Sequence, residues 1–482
     1  MTPAAFPAMI APPTEGLLSA ATAAADTLAP VANPPGGLTM ISVLHSYVGV
    51  FMVAFVVAML STPFLRRLAV ANGIVDRPSD PRKQHRIPIA YMGGVAVYLG
   101  LMVGILYSII ATRLNILIDW HPSEHANVPL ERMVPVSILL GATIIMMLGL
   151  LDDIIGISPR LKIAGQLFAA AALAYENVGV HVAEGLIVPA FNLVGWDTVL
   201  TLTLPQAIPV FGSVVEFDVV YWSGAAIIAI GVIGGCNASN LIDGLDGLLT
   251  GVTAIAMCGL LVLALDLAVQ DDGVRDSQRI ILAMATLGAC LGFLPHNFNP
   301  ATIFLGDAGS MLLGYISVVT ILSLGDTGLT HLVVAGGIIY AIPIIDTGLA
   351  IIRRKMSGKK MSDADANHLH HMLKRALGVK GAVTALYGIG VTFAVLGTIS
   401  GFARARIVYV LATIAVAYIG VIAIKIARKN QIDEQTREFE AKRTKKSAPA
   451  RRTSAPRAEA TKPAPASSAD LTDDPARAQA AG

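Results

Sequence analysis

The stretch VPVSILLGATIIMMLGLLDDIIGISPRLK, residues 134–162, decides the fold class. Residues 134–151 carry no charged side chain, and a run of that length approaches the roughly 20 residues that cross a bilayer core as a helix. Charge begins abruptly at Asp152 and Asp153, and Lys162 follows at the start of another apolar run. Adjacent carboxylates at a membrane boundary repel each other and are costly to desolvate, so they usually need a cation or a metal. The stretch therefore predicts a membrane helix that ends in a polar site.

The whole chain has the same character. Of its 482 residues, 54% are hydrophobic and 14% are charged, whereas a soluble globular protein has roughly 25% charged residues. This composition excludes an ordinary soluble domain. The three cysteines, Cys236, Cys258 and Cys290, lie in or beside apolar segments. They predict neither a disulfide framework nor a zinc site.

Similar apolar runs recur along the chain and predict an all-α integral membrane protein with about eleven transmembrane helices. Residues 179–218 hold Val, Ile, Leu, Phe and Thr between Gly and Pro, and they predict a short extracytoplasmic segment of strands or a hairpin. The predicted spans are 44–65, 90–111, 134–151, 162–178, 219–236, 248–268, 279–295, 310–325, 332–352, 381–401 and 404–427.

The two ends of the chain predict disordered tails around a polytopic membrane domain at 44–427. Residues 1–43 are rich in Ala and Pro and lack Lys and Arg, and residues 428–482 are basic and of low complexity. Neither can bury enough apolar surface to offset the entropy of ordering. Of the predicted loops, one alternating set holds 16 Lys and Arg and the other holds 6. The positive-inside rule therefore places the first set in the cytoplasm, the N-terminus outside and the C-terminus inside.

Five polar clusters fall on the predicted cytoplasmic side, and together they predict one site. Loops are polar in any case, but this does not explain why Asn, Asp and His recur at tight spacing on one side. The clusters are DRPSDPRKQHR (76–86), LLDDIIGISPRLK (150–162), NASNLIDGLDG (237–247), FLGDAGS (304–310) and DADANHLHH (363–371).

Two of these clusters supply hard oxygen ligands. Asn237, Asn240, Asp243 and Asp246 recur every three residues, and their amide and carboxylate oxygens suit Mg²⁺. Asp307 stands between glycines before an apolar helix, whose free N–H groups could receive phosphate oxygens. Taken singly, each pattern is also explained by an Asn- and Asp-rich turn or by a helix cap.

The basic and histidine clusters favour phosphate binding. His368, His370 and His371 have no cysteine partners for zinc, and their ring N–H groups can donate to phosphate. Lys83 and Lys162 could supply further cations, although Lys83 is equally explained as a membrane anchor. No Walker A pattern is present, which argues against an ATP-driven pump. The clusters together predict a metal-assisted phosphate site that an amphiphilic acceptor could reach from the lipid.

In this order, the five clusters resemble the polyprenyl-phosphate N-acetylhexosamine-1-phosphate transferases, a superfamily that also holds the MraY translocase of peptidoglycan synthesis. The resemblance runs from about residue 44 to 427 and leaves out the two tails. HLHHML and DGLDGL resemble the bacterial WecA- and TagO-like subgroup, which mostly uses UDP-GlcNAc and undecaprenyl phosphate. The resemblance implies a multi-pass protein of the bacterial cell membrane, with its active site on the cytoplasmic face and no nucleic-acid partner. It also implies transfer of a sugar 1-phosphate from a UDP-sugar to undecaprenyl phosphate, with release of UMP.

The resemblance also implies roles for the clustered residues. A UDP-sugar, undecaprenyl phosphate and Mg²⁺, or Mn²⁺ in its place, would meet at these side chains. The implied metal ligands are Asn240 and Asp307; the implied catalytic residues are Asp152, Asp153, Asp243, Asp246, His368, His370 and His371; and the implied substrate-binding residues are Lys83, Lys162, Asn237, Asp246 and His370.

Other interpretations stay open at this point. The same reaction could use a different UDP-sugar, since one polar residue can select between sugars. A secondary transporter of an anionic solute would want an ionisable group near the bilayer midplane, and Asp346 in IPIIDTG is the feature that favours it. A catalytically silent scaffold is disfavoured by the intact motifs. The sequence fixes neither the oligomeric state nor the downstream glycan.

Overall fold

The structure is a computed structural model that describes residues 39–76, 88–114, 134–193, 201–203, 216–270, 275–356 and 368–403, and scattered positions from 406 to 440. The chain divides into two units, 1–427 and 428–482. In the second unit the described positions are few, and they are helical. The first unit contains all the elements below. The predicted N-terminal tail lies almost wholly outside the described residues.

Helices dominate the described part of the first unit. A 3₁₀ turn spans Val180–Ala183, β1 (Val75–Asp76) pairs antiparallel with β2 (Ile89–Ala90), and β3 (Thr201–Thr203) pairs antiparallel with β4 (Glu216–Asp218). The α-helices are α1 (Met40–Ala71), α2 (Gly93–Leu114), α3 (Val136–Ile155), α4 (Pro159–Tyr175), α5 (Glu184–Leu193), α6 (Val219–Ile242), α7 (Leu248–Val269), α8 (Asp276–Asn297), α9 (Gly306–Ser323), α10 (Thr330–Ile339), α11 (Ala341–Met356) and α12 (Leu369–Phe402).

The helices make this a multi-pass membrane protein. Among the described residues, 8 helices are long and apolar enough to cross a membrane, or 9 if α10 and α11, which meet at a bend of 80°, form one span. Each predicted span from 44–65 to 310–325, and the span 381–401, overlaps one described helix, whereas 332–352 falls on both α10 and α11. The fourth is the 17-residue α4. The eleventh, 404–427, is described only in part, with helix at 406–411. The count of eleven stays a prediction.

The segment 179–218 differs from its prediction in its first half. The prediction of strands fails there, because the 3₁₀ turn leads directly into α5. Gly179, just before the turn, has a positive φ of 82°, and this conformation lets the chain change direction there. The second half does contain the paired strands β3 and β4, and the residues between them lie outside the described part.

Helices α7, α8 and α9 form the centre of the molecule. At least 78% of the apolar window in each is buried, against 28% in α1 and 22% in α6. The outer helices therefore present apolar side chains to lipid on one side and pack on the central three on the other. This arrangement places the N-terminus of α9, at Gly306, among the ends of the surrounding helices.

Candidate active site

Four helices bring their polar ends together around Asp307. Asp152 lies in the last turn of α3, Lys162 in the first turn of α4 and Asn240 in the last turn of α6. The Lys162 ammonium lies 2.6 Å from Asp152 Oδ2 and 2.6 Å from Asp307 Oδ2. The Asn240 amide Nδ2 donates to Asp307 Oδ1 at 2.7 Å. Four residues predicted from three separate motifs thus form one hydrogen-bonded cluster.

The helices reach this point because small residues remove the space between them. A Cβ added to Gly149 of α3 would overlap the backbone of Ala308, and one added to Gly94 of α2 would overlap the backbone of Gly309. Both contacts fall on the first turn of α9. The strand β2 also holds the preceding residues, because Phe304 N donates to Ala90 O at 2.9 Å. The residues on both sides of Asp307 are therefore fixed by α2, α3 and β2.

The two adjacent carboxylates of α3 have different surroundings. Asp153 accepts hydrogen bonds from Asp307 N at 2.8 Å and from Ala308 N at 3.1 Å. These are N–H groups that the first turn of α9 leaves without a helical partner, so Asp153 caps that helix from a neighbouring one. Asp152 instead faces Lys162 and accepts from Ile157 N at 2.8 Å. The geometry gives Asp153 a structural contact and leaves Asp152 beside the cation.

A cavity of about 630 Å³ opens beside this cluster. Of the residues predicted for the site, Asn240, Asp243, Asp246, Asp307 and His371 line it. Its polar lining also includes residues that the motif analysis did not assign, namely Asp76, Tyr91, Asn297, Asn299 and Lys374. Asn297 and Asn299 stand in PHNFNP just before FLGDAGS, and this nearness to a recognised motif is the signal that could have found them.

Asp243 is a carboxylate of the cavity wall that, within the described part of the chain, has no hydrogen bond to offset its negative charge. It follows the last residue of α6, and among the described residues it accepts no hydrogen bond. Burial raises its pKa well above the usual value, and the negative charges of Asp307, Asp153 and Asp246 raise it further. A cation in the cavity would remove this repulsion.

Asp246 and Asn297 hold the cavity wall together. Asp246 Oδ2 accepts from Asn299 Nδ2 at 2.8 Å and from Ala301 N at 3.1 Å. Asn297 Oδ1 accepts from Gly247 N at 3.2 Å and from Thr250 Oγ1 at 3.0 Å. These bonds tie the loop at 243–247 to the loop that leads into α9.

Asn237 does not reach the cavity lining. Its Nδ2 donates to Gln166 Oε1 at 3.0 Å and to Ile233 O at 2.7 Å. An α-helix turns 100° per residue, so a three-residue step rotates the side chain by about 60° from its predecessor. Asn240 therefore faces Asp307, whereas Asn237 faces α4.

The three histidines divide into an inner pair and one cavity residue. His368 Nδ1 and His370 Nδ1 each lie 3.1 Å from Asp346 Oδ2, and Leu369 N donates to Asp346 Oδ1 at 2.6 Å. The His370 side chain is only 1% exposed. His371, in contrast, lines the cavity. Both carboxylate oxygens of Asp346 thus have hydrogen-bond partners within the protein. These contacts explain its presence in an apolar stretch without a transported solute.

Two groups in the described residues could hold a metal ion. Asp346, His368 and His370 offer ligand atoms within 4.8 Å of one another. The 3.1 Å between each ring Nδ1 and Asp346 Oδ2 is a hydrogen-bond distance, so in this structure the two rings bond the carboxylate directly. The cavity cluster offers carboxylate and amide oxygens, which suit Mg²⁺. It also has more acids than bases, so a divalent cation fits its charge.

Lys83 lies at 77–87, outside the described residues, as does the acidic start of the histidine cluster at 363–367. The structure therefore says nothing of their contacts. Asp76, the first residue of that basic cluster, is described and lies at the cavity wall.

The fold and the site define a class: a multi-pass membrane protein with an acidic, lysine-containing cavity at its helix ends. The family model described as glycosyl transferase family 4 matches residues 135–325, which run from α3 to just beyond α9. The chain belongs to this family, since a curated relative from Bacillus subtilis (strain 168) is 32% identical over 352 residues. That alignment covers 71% of this chain and 83% of the relative, a probable undecaprenyl-phosphate N-acetylglucosaminyl 1-phosphate transferase.

Two further relatives carry related names. A decaprenyl-phosphate N-acetylglucosaminephosphotransferase of Mycolicibacterium smegmatis is 31% identical, with 67% of this chain and 74% of the relative covered. A phospho-N-acetylmuramoyl-pentapeptide-transferase of Bacillus cytotoxicus is 31% identical, with 73% of this chain and 95% of the relative covered. All three names specify transferases: the first two specify N-acetylglucosamine, and the third specifies phospho-N-acetylmuramoyl-pentapeptide.

Proposed function

We propose that this protein transfers N-acetylglucosamine 1-phosphate from UDP-GlcNAc to undecaprenyl phosphate, giving undecaprenyl-diphospho-N-acetylglucosamine and UMP. The donor and the acceptor are taken from the named relatives and from the motif resemblance. The reaction would be the first membrane step of a cell-surface glycan, with the cavity facing the cytoplasm of a bacterial cell. A phosphorylated lipid would enter from the bilayer and the nucleotide sugar from water.

The cluster of Asp152, Lys162, Asn240 and Asp307 beside the cavity is the observation that carries the proposal. Phosphoryl transfer requires little covalent chemistry from the protein, and its main needs are charge neutralisation and positioning. This cluster offers both, because a lysine lies 2.6 Å from two carboxylates, and one of these, Asp307, lines a cavity large enough for a nucleotide sugar. Its acidic excess leaves room for a divalent ion.

In the proposed reaction, an acceptor phosphate oxygen attacks the phosphorus that bears the sugar. One P–O bond forms there, the P–O bond to the uridine-bearing phosphate breaks, and UMP leaves with the electron pair. When bound, Mg²⁺ would screen the diphosphate and stabilise the departing charge. Asp307, Asn240 and Asp243 would hold the ion, while Lys162 and Lys374 would neutralise phosphate oxygens.

A separate general base is unnecessary for this step. The second pKa of a phosphate monoester is about 6, so the acceptor already carries a nucleophilic oxyanion at neutral pH. Asp152 is then best placed to orient Lys162, with which it forms its 2.6 Å contact. His371, at the cavity wall, would donate to a phosphate or sugar oxygen.

The test is UMP release by the purified full chain in detergent. Undecaprenyl phosphate is supplied with a panel of UDP-sugars, with and without Mg²⁺. UMP release with UDP-GlcNAc that depends on Mg²⁺ is the expected result. Release with another UDP-sugar alone would replace the donor and keep the chemistry. Absence of UMP from every donor, in a folded sample, would refute the proposal.

A further inference from the structure

Asp346 is a buried aspartate that the proposed reaction does not use. It lies on α11, its side chain is 1% exposed, and three groups of one chain segment converge on it. His368 and His370 approach one of its carboxylate oxygens at 3.1 Å each, and Leu369 N donates to the other at 2.6 Å. All three belong to the start of α12, so one carboxylate holds the whole beginning of that helix.

The held segment is also a separate piece of helix. Gly378 interrupts α12 with φ 74° and ψ 178°, a backbone conformation that a helix cannot contain. Residues 369–377 are therefore not aligned by the membrane-spanning part that follows. Since a helix of two turns is unstable without tertiary contacts, this segment needs an anchor of its own.

The anchored segment reaches the cavity through two contacts. His370 faces the loop at 243–247, because a Cβ added to Gly244 would lie 2.7 Å from His370 Nε2. His371 and Lys374, three residues apart on one helical face, both line the cavity. The orientation of these two cavity residues thus depends on the turn that Asp346 holds.

We propose that Asp346 is a positioning residue. It clamps the first turn of α12 against the loop at 243–247 and so aims His371 and Lys374 into the cavity. It touches neither substrate. Through its two imidazole contacts it also fixes both inner rings with Nδ1 toward the carboxylate, which turns Nε2 of His370 toward the cavity loop.

The test is a double-mutant cycle in the full-length enzyme, and it rests on the proposed transferase function. Asp346→Ala should lower kcat/KM by about tenfold to a hundredfold, the usual effect of removing a group that orients site residues. The same change in a chain that carries His371→Ala and Lys374→Ala should lower kcat/KM by no more than about threefold. A residue that acts through others loses its effect once they are gone.

A matched control separates positioning from general stability. Asp326 is another buried aspartate, it accepts from Gly179 N at 2.7 Å and pairs with Arg275 at 2.9 Å, and it lies beyond the far end of α9. Asp326→Asn should lower Tm and leave kcat/KM within about threefold of the wild type. Equal losses for Asp346→Ala in both backgrounds would overturn the proposal.

Asp346→Asn keeps the test decisive if the alanine variant does not fold. It retains one accepting oxygen and its size, and we expect an intermediate loss of kcat/KM. Wild-type kcat/KM in this variant would contradict the proposal. If the wild type releases no UMP, the proposed function fails, and the rise in Tm caused by UDP becomes the measurement. That rise should shrink in Asp346→Asn as much as in the variant lacking His371 and Lys374.

Discussion

At the scale of single residues, Asp307 is the side chain on which the cluster converges. Its two oxygens meet the Lys162 ammonium and the Asn240 amide at 2.6 and 2.7 Å. Asp307→Asn keeps the shape and removes the charge, so we expect kcat/KM to fall by about a hundredfold or more, as when one preorganised electrostatic contact is lost. UMP release at saturating Mg²⁺ measures this.

The control for this change is Asp266→Asn on α7, an aspartate whose side chain accepts from Gln270 at 2.6 Å and does not line the cavity. It should leave UMP release within about twofold of the wild type, since it removes a surface contact alone. Equal activity of the two variants would remove Asp307 from the reaction.

Asp153 is expected to behave differently from its neighbour. Asp153→Ala leaves two N–H groups of α9 without an acceptor, which costs about 1–3 kcal/mol for buried groups. Asp152→Ala removes a contact to Lys162 whose two side chains are 17% and 20% exposed, and it should reduce mainly activity. Thermal unfolding in detergent should therefore show the lower Tm for Asp153→Ala. A lower Tm for Asp152→Ala would contradict the capping role.

Asp243 predicts how stability depends on pH. Its raised pKa means that the folded chain without metal keeps a proton that the unfolded chain has lost. The unfolded state then binds fewer protons, so stability falls as pH rises above the ordinary carboxyl range. Asp243→Asn removes this loss, and its Tm should exceed that of the wild type more at pH 8 than at pH 5. A Tm difference that is the same at pH 5 and pH 8 would show that the pKa of Asp243 is not raised. A Tm difference at pH 8 that added Mg²⁺ does not change would show that Asp243 does not face the cation position.

The residues that could be predicted from the sequence were those in short polar motifs. Asn240, Asp243 and Asp307 stand out because Asn and Asp at helix ends of an apolar chain are costly unless they serve a purpose. Asp346 gave no such signal for this site, since its partners are 22 and 24 residues away. The buried position of His370 was equally hidden, because the clamp and the break at Gly378 depend on backbone geometry.

At the scale of helices, close approach to α9 is the feature that assembles the site. Gly149 of α3 touches the backbone of Ala308 where a side chain would overlap, while Gly337 of α10 has open space around it. Gly149→Ala should therefore displace the end of α3 and its two aspartates, lowering both Tm and UMP release. Gly337→Ala is the matched helical control, and we expect it to be neutral or stabilising by up to about 1 kcal/mol. Similar effects of the two changes would show that the contact with α9 is unimportant.

The lengths of the apolar runs in the sequence predict where the helices lie, but they do not predict where the helices bend. Residues 332–352 predict one span, whereas the structure has α10 and α11 meeting at 80°. Hydropathy reports how much apolar surface a segment has, but a bend arises from packing that hydropathy does not contain. Asp346 lies on α11 just beyond this bend, where it meets the start of α12.

At the scale of the whole molecule, the distribution of Lys and Arg predicts which end faces the cytoplasm. The proposed site lies at the end of the molecule where α3 and α6 finish and α9 begins. Ser158, between α3 and α4, is exposed at the same end. The opposite end contains the loop between α9 and α10, where Thr327 is exposed. The greater number of basic residues in the loops on the side of Ser158 argues that this end is cytoplasmic. A phosphate acceptor and a nucleotide donor would then meet where nucleotides are made.

Cysteine labelling in intact cells tests this orientation. In a chain whose native cysteines are replaced, Thr327→Cys should react with a membrane-impermeant maleimide, whereas Ser158→Cys should react only after the cells are permeabilised. Both positions are exposed, so access to the reagent and not burial decides the outcome. The reverse pattern would place the cavity outside the cell, where UDP-sugars are absent, and the proposed donor would have to be abandoned even if the cluster around Asp307 were intact. Labelling of both positions in intact, sealed cells would overturn the assignment of these loops to opposite sides.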